Sequence, residues 1–149
     1  MTKPVLAPAF CQVAWVVRDL AAAEKFFIET MGISRFMHMD NLAAKDTEGT
    51  YLGKPGNWVC NLHIAYAGDT QIELIQPVSG ASMYQESLDR HGDAVQHVAY
   101  WLDDADYDAA AAHLESSVYP QIQSFRLPIL RVGYYDTRRI IGDLNEIVG

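Results

Sequence analysis

Four side chains in this 149-residue chain have the types and placement to hold a divalent metal ion. Gln12 opens the run Gln12-Val13-Ala14-Trp15-Val16-Val17-Arg18-Asp19-Leu20. His97 opens a similar one, His97-Val98-Ala99-Tyr100-Trp101-Leu102-Asp103-Asp104-Ala105. A second echo follows each: Ile72-Glu73-Leu74-Ile75 late in the first half, Asn145-Glu146-Ile147-Val148 late in the second. A carboxylate inside an apolar strand is costly to bury unless it is paired or binds a metal. Each residue also has an ordinary reading when taken singly. A lone Glu on an edge strand faces water, a lone His in an apolar strand is hydrogen-bonded in the core, and a lone Gln draws no comment. At equivalent places in a duplicated unit, the four point instead to a site built at a pseudo-twofold centre. Such internal repetition decides the fold before other features do.

The proposed shell is one imidazole nitrogen and three oxygens, which suits a borderline or harder divalent ion such as zinc, nickel, cobalt or manganese. Water, or two adjacent oxygens of a small substrate, would fill any open positions. Redox-neutral chemistry fits this shell: a cation that polarises a carbonyl, and a carboxylate that moves the α-proton. Glu146 is the first choice for that base and Glu73 the second.

The elements that must position these residues read clearly. Residues 11–18 form an apolar strand; Asp19 caps a helix on which Leu20, Ala23, Phe27 and Met31 fall at helical spacing, and Gly32 stops it. Residues 33–39 resemble a short strand, and 40–57 a polar loop with room for one strand. Trp58–Tyr66 and Thr70–Gln76 are strands joined by the turn Ala67-Gly68-Asp69. Ser82–Arg90 reads as a connecting helix ended by His91-Gly92. The second half repeats the order: strand 95–102, a helix capped by Asp103 or Asp104 and running to about Ser116, strand-like 118–125 interrupted by Pro120, then strands 131–135 and 144–148. The fold class is therefore α+β, with one module over 10–78 and another over 94–149 inside one domain spanning 1–149.

The formal net charge of −8 argues against nucleic acid or an anionic membrane as partner. Two cysteines, Cys11 and Cys60, are too few for a disulfide framework and read as buried free thiols in a reducing compartment. The N-terminal segment has two prolines and no apolar core of signal-peptide type, and no run is long enough to span a bilayer. A cytoplasmic protein is the expectation.

On the motifs Gln12-Val13-Ala14 through Asp19-Leu20, Ile72-Glu73-Leu74, His97-Val98-Ala99, and Tyr135-Asp136-Thr137 with Gly142 and Glu146, the chain resembles the vicinal oxygen chelate superfamily. That is the group of glyoxalase I, methylmalonyl-CoA epimerase, extradiol dioxygenases and bleomycin-resistance proteins, and the likeness runs from about Phe10 to Val148. The resemblance implies two tandem βαβββ modules whose curved mixed sheets enclose a cleft. It implies one metal ligand from the first and last strand of each module, which fall on Gln12, Glu73, His97 and Glu146, as in one glyoxalase I branch. Zinc is the first metal it suggests, and a homodimer the assembly. The implied activity is a glyoxalase-like isomerase, epimerase or lyase that forms an enediolate or enolate. The epimerases typically have His at the first position and Gln at the second, so this chain departs from them at both. A non-catalytic binder of the bleomycin-resistance type is the rival. An Fe(II) dioxygenase is a weaker one, since Gln12 stands where its first His would be. Arg131, Arg138 and Arg139 are candidates to meet an anionic substrate group, and Trp15, Trp58, Trp101 and Tyr134 to supply an aromatic wall, although solvent exposure and core packing are their ordinary roles. His63 is expected to line the pocket or satisfy a core hydrogen bond.

Overall fold

A computed structural model describes residue 4 and residues 6–149. The reading of the first few residues as not a signal peptide falls largely outside them. Ten strands form one mixed sheet: β1 (Phe10–Val16), β2 (Met37–Ala43), β3 (Thr50–Tyr51), β4 (Lys54–Pro55), β5 (Val59–Ala67), β6 (Thr70–Ser79), β7 (Ala94–Trp101), β8 (Gln121–Leu127), β9 (Leu130–Tyr135) and β10 (Leu144–Val148). Their order across the sheet is β2-β5-β6-β1-β7-β10-β9-β8-β3-β4. The four strands β2-β5-β6-β1 mirror β8-β9-β10-β7, and each set is threaded by one long helix, α1 (Leu20–Glu29) or α3 (Asp104–Ser116). These are the two βαβββ modules expected, joined where β1 runs antiparallel to β7.

Side chains alternate across each strand, so every strand serves both faces. On the outer face of the first module, Val17, Ala65, Ile72 and Leu74 pack against Leu20, Ala23, Phe27 and Ile28 of α1. On that of the second, Tyr135 and Ile147 pack against Tyr107, Ala110 and Leu114 of α3. The inner face holds the largest cluster, including Val16, Trp58, Leu62, Tyr84, Phe125, Val132 and Tyr134.

Local signals explain the element ends. Asp19 accepts a hydrogen bond from the Ala22 amide at 2.9 Å, and Ser82 accepts one from Gln85 at the start of α2 (Met83–His91). Gly68 takes φ +61 in the two-residue turn between β5 and β6, a place where primed hairpin turns favour glycine. Asp103 precedes α3 without a side-chain cap bond. A short α4 (Arg138–Ile141) separates β9 from β10.

The clearest departure from the sequence reading lies between residues 33 and 57. The strand expected at 33–39 begins at Met37 and runs to Ala43, since Ile33 and Phe36 are drawn into the α1 core instead. The expected loop contains β3 and β4, and β3 leaves its own module to pair with β8 of the other. The anchor is Trp58, which is buried and donates from Nε1 to the Thr50 carbonyl at 3.1 Å. Gly49 and Gly56 lie against its ring, and a Cβ built on Gly49 would stand 2.6 Å from the Ala44 backbone and 2.7 Å from Trp58. Backbone on one side and a locked indole on the other leave nothing to yield. Gly49→Ala should therefore lower stability by about 1–3 kcal/mol, read as a shift in the urea midpoint; an unchanged midpoint would mean this crossing strap is not part of the packed core.

Candidate metal centre

The register across β1 and β7 reveals how the site is made. Val13 faces Val98, while Gln12 faces Ala99 and Ala14 faces His97. The local twofold thus exchanges Gln12 with His97 and Ala14 with Ala99. On the outer sides, Ala14 faces Glu73 on β6 and Ala99 faces Glu146 on β10. The same twofold therefore exchanges Glu73 with Glu146. Both alanines are fully buried and small, which leaves room above them for the larger side chains beside them.

Two β-bulges sharpen the arrangement. Cys11 is the unpaired extra residue on β1 and Gln96 the one on β7. Each directly precedes a site residue, Gln12 or His97. A bulge twists the strand and re-aims the next side chain, and bulges recur beside active sites.

Glu73, His97 and Glu146 come together, each with a ligand atom within 4.8 Å of the others. His97 Nε2 lies 2.8 Å from Glu146 Oε2 and 3.2 Å from Glu73 Oε2. Despite those distances, neither contact is aligned as a hydrogen bond: Glu73 Oε2, His97 Nε2 and Glu146 Oε2 are all buried without a hydrogen-bond partner. Gln12 Oε1 is in the same condition, because its amide turns Nε2 to the Gln71 side chain. Four orphaned polar atoms at the twofold centre are the pattern expected of a site shaped for a cation. Gln12, Glu73 and Glu146 line one cavity of about 330 Å³, and His97 lies beneath it, with no exposure.

A residue not singled out in the sequence supports His97. Gln96 Oε1 accepts from His97 Nδ1 at 2.7 Å, and Gln96 Nε2 donates to the Met83 carbonyl at 3.3 Å. A hydrogen on Nδ1 leaves the Nε2 lone pair free toward the carboxylates, the orientation that outer partners give to metal-ligating histidines. Adjacent residues in a strand normally face opposite ways, so only the bulge makes this contact feasible. Behind His97, Tyr134 packs edge-on at 5.0 Å and shares a 2.8 Å hydroxyl–hydroxyl bond with Tyr84. Burial holds both phenols well above their ordinary range.

Burial pushes the Glu146 carboxyl up to about 7, against the downward pull of His97. Burial alone would depress His97; the charge of Glu146 and the closeness of both carboxylates outweigh it and lift the imidazole. Burial also pushes the Cys11 thiol to about 11 and Cys60 to about 12, so neither is a ready thiolate ligand or nucleophile.

The remaining candidates separate. Trp101 lines the cavity, whereas Trp15 packs on Phe27 at the outer face and Trp58 is core. Arg131 stacks 4.0 Å over Tyr107 and pairs with Asp108, and Arg138 is held by Asp136 and Glu86. Neither these arginines nor Arg139 lines the cavity. His63 lies on the outer face and lines a different pocket.

The sequence profile of the Glyoxalase/Bleomycin resistance protein/Dioxygenase superfamily matches residues 11–126, and the chain belongs to that superfamily. Gln12, Glu73 and His97 fall inside the match; Glu146 lies beyond it and is placed by register alone. A comparison with curated proteins returns no match. Among solved structures, a hypothetical protein from Bacillus halodurans has a TM-score of 0.68 at 14% identity, with 93% of this chain and 91% of that one covered. Methylmalonyl-CoA epimerase from Mycobacterium tuberculosis has a TM-score of 0.66 at 21% identity, covering 99% and 91%. A methylmalonyl-CoA epimerase in complex with methylmalonyl-CoA and NH4+ has a TM-score of 0.67 at 20% identity, covering 94% and 92%. At these identities the likeness shows the shared fold.

Stability without metal should depend on pH through this centre. Glu146 rises from 4.5 and His97 from 6.5 on folding, so between about pH 5 and 9 the folded chain binds more protons than the unfolded one. Stability then falls as pH rises through that window. Melting with a chelator present should give a lower midpoint at pH 8.5 than at pH 6, with the difference reduced in Glu146→Gln; equal midpoints would mean the centre does not retain a proton.

Proposed function

We propose that the chain is a metal-dependent enzyme of the glyoxalase-like type that moves a proton α to a carbonyl. The observation that carries this reading is the set of four buried, unpartnered polar atoms on Gln12, Glu73, His97 and Glu146 at one twofold centre. These residues fit a divalent ion: one imidazole whose other nitrogen is already bonded, one amide oxygen and two carboxylates, whose two negative charges a divalent cation would balance. When bound, such an ion supplies electrostatic stabilisation of the oxyanion that forms as the proton leaves. Zinc is our first choice, with nickel, cobalt and manganese also suited to the donors.

The protein's own groups supply the rest. Glu146 is the proposed base: its carboxylate faces the cavity, and burial places its proton affinity near neutrality before a cation binds. Glu73 sits at the symmetric position and is the second candidate, able to return the proton from the other side. The tyrosine pair and Gln96 keep His97 fixed, so it orients and does not shuttle. Met37, Leu62, Ile64, Trp101, Phe125 and Val132 give the cavity apolar walls. Among the described residues, no Lys or Arg lines it, so a carboxylate or phosphate there would lack a counter-charge. We infer a small, largely apolar substrate with two neighbouring oxygens. One methylmalonyl-CoA epimerase structure of the same fold is in complex with methylmalonyl-CoA and NH4+.

The same apolar cavity also favours a second reading, a non-catalytic small-molecule binder of the resistance type. The one imidazole in the set disfavours an Fe(II) dioxygenase. Elemental analysis of tag-free protein should find about one more divalent ion per chain in the wild type than in His97→Ala. Proton NMR in D₂O with small α-hydroxyketones and 1,2-dicarbonyl adducts should show exchange of the α-proton, slowed at least 100-fold in Glu146→Gln while that variant keeps most of its metal. A Glu146→Gln protein as active as wild type would remove the assigned base. Metal-free protein that binds apolar ligands without exchanging any proton would establish the binder instead.

A further inference from the structure

The outer face of the first module carries a second constellation with the chemistry of a cation site. His38 on β2 and His63 on β5 are cross-strand partners, and their rings stack at 3.6 Å with planes 5° apart. Glu24 on α1 reaches both: its carboxylate lies 2.5 Å from His63 Nδ1 and 2.9 Å from His38 Nε2. Asp40 Oδ1 accepts from the other side of the His63 ring, 3.1 Å from Nε2. Asp40 gets there through a bulge, since Asp40 and Asn41 together oppose Asn61, and Asn41 takes φ +57. His63 is 7% exposed, yet both of its nitrogens face carboxylates. Ionised carboxylate oxygens only accept, so two of them flanking one ring suit a donor hydrogen on one side and a cation on the other. The group lines a cavity of about 520 Å³ between α1 and the sheet.

We propose that His63 Nδ1, His38 Nε2 and Glu24 form a second divalent metal site, separate from the twofold centre and selective for a late first-row ion such as zinc. Two imidazoles and one carboxylate are a zinc-type donor set, with the cavity leaving positions for water. The ion takes the place of the hydrogen on His63 Nδ1, which is released to solvent as a proton. Asp40 keeps the hydrogen on Nε2, fixing the tautomer and orientation, as carboxylates behind metal-ligating histidines do. The two carboxylates balance the dipositive charge. Ligands of a tetrahedral zinc stand about 3.3 Å apart, so the present contacts open slightly. An ion cannot lie in two parallel ring planes at once; His38 is half-exposed and has the cavity in which to rotate. The site would pin α1 to the β2 edge of the sheet and has no part in the proton transfer.

Tag-free protein equilibrated with zinc alone, then freed of unbound ion, tests this by stoichiometry. His97→Ala should retain one ion per chain, lost when His38→Ala is added. Asp40→Asn, introduced into His97→Ala, should weaken that ion 10- to 100-fold. Zinc should raise the melting temperature of His97→Ala but not of the double variant. A folded His97→Ala that binds no zinc, or one whose ion survives His38→Ala, overturns the proposal. Wild-type zinc lost through His38→Ala alone would support this site while removing the ion from the twofold centre.

Discussion

Strands β1 and β7 run antiparallel down the middle of the sheet, and nearly every feature of the inner cavity follows from their register. Centring the pairing on Val13 and Val98 puts each small alanine opposite the ligand-type residue of the other strand. The parallel neighbours β6 and β10 then deliver Glu73 and Glu146 beside those alanines. A one-residue slip would turn every side chain of a strand to the other face. It would send Trp15 and Val17 into the cavity and the polar side chains into the α1 core. The alternating burial of β1, together with two helices that each demand an apolar face, makes that slip costly.

The symmetry is incomplete in ways that matter chemically. The twofold exchanges Gln12 with His97, so an amide oxygen and an imidazole occupy related places. It also exchanges Cys11 with Gln96, the two bulge residues. Only Gln96 can bond to the ring beside it; Cys11 reaches the Ala99 carbonyl at 3.5 Å instead. The second module thus carries the oriented imidazole, and the first carries the residue whose amide is held by Gln71. Duplication sets the positions of the four residues, and divergence after duplication sets how firmly each is held.

Much of this was legible because the repeat and the period-two pattern are local signals. The paired motifs located all four ligand-type residues, and the caps Asp19 and Ser82 located helix starts. What the pattern could not carry was long-range. The strap of β3 and β4 crosses to the other module on backbone pairing and on the packing of Trp58 between two glycines, and neither leaves a periodic trace. Gln96 was invisible because its role depends on a bulge, which is a property of two strands and not of one. His38 and Glu24 carry no sequence signal for a similar reason, since they meet His63 only after β2, β5 and α1 have folded together.

The two histidine clusters differ in what folding has done to them. At the twofold centre, the polar atoms are buried without aligned partners, and the surrounding sheet leaves them little freedom to find any. Burial raises the proton affinity of Glu146 there, and the neighbouring carboxylates raise that of His97. At the outer cluster the groups satisfy one another, and half of them reach solvent. A preorganised centre suits chemistry, because the energy of holding the charges is set by the fold before substrate arrives. A self-satisfied, partly exposed cluster suits reversible capture of an ion from solution. On the two proposed readings, the same residue types do different work on the two faces of one sheet, and burial decides which.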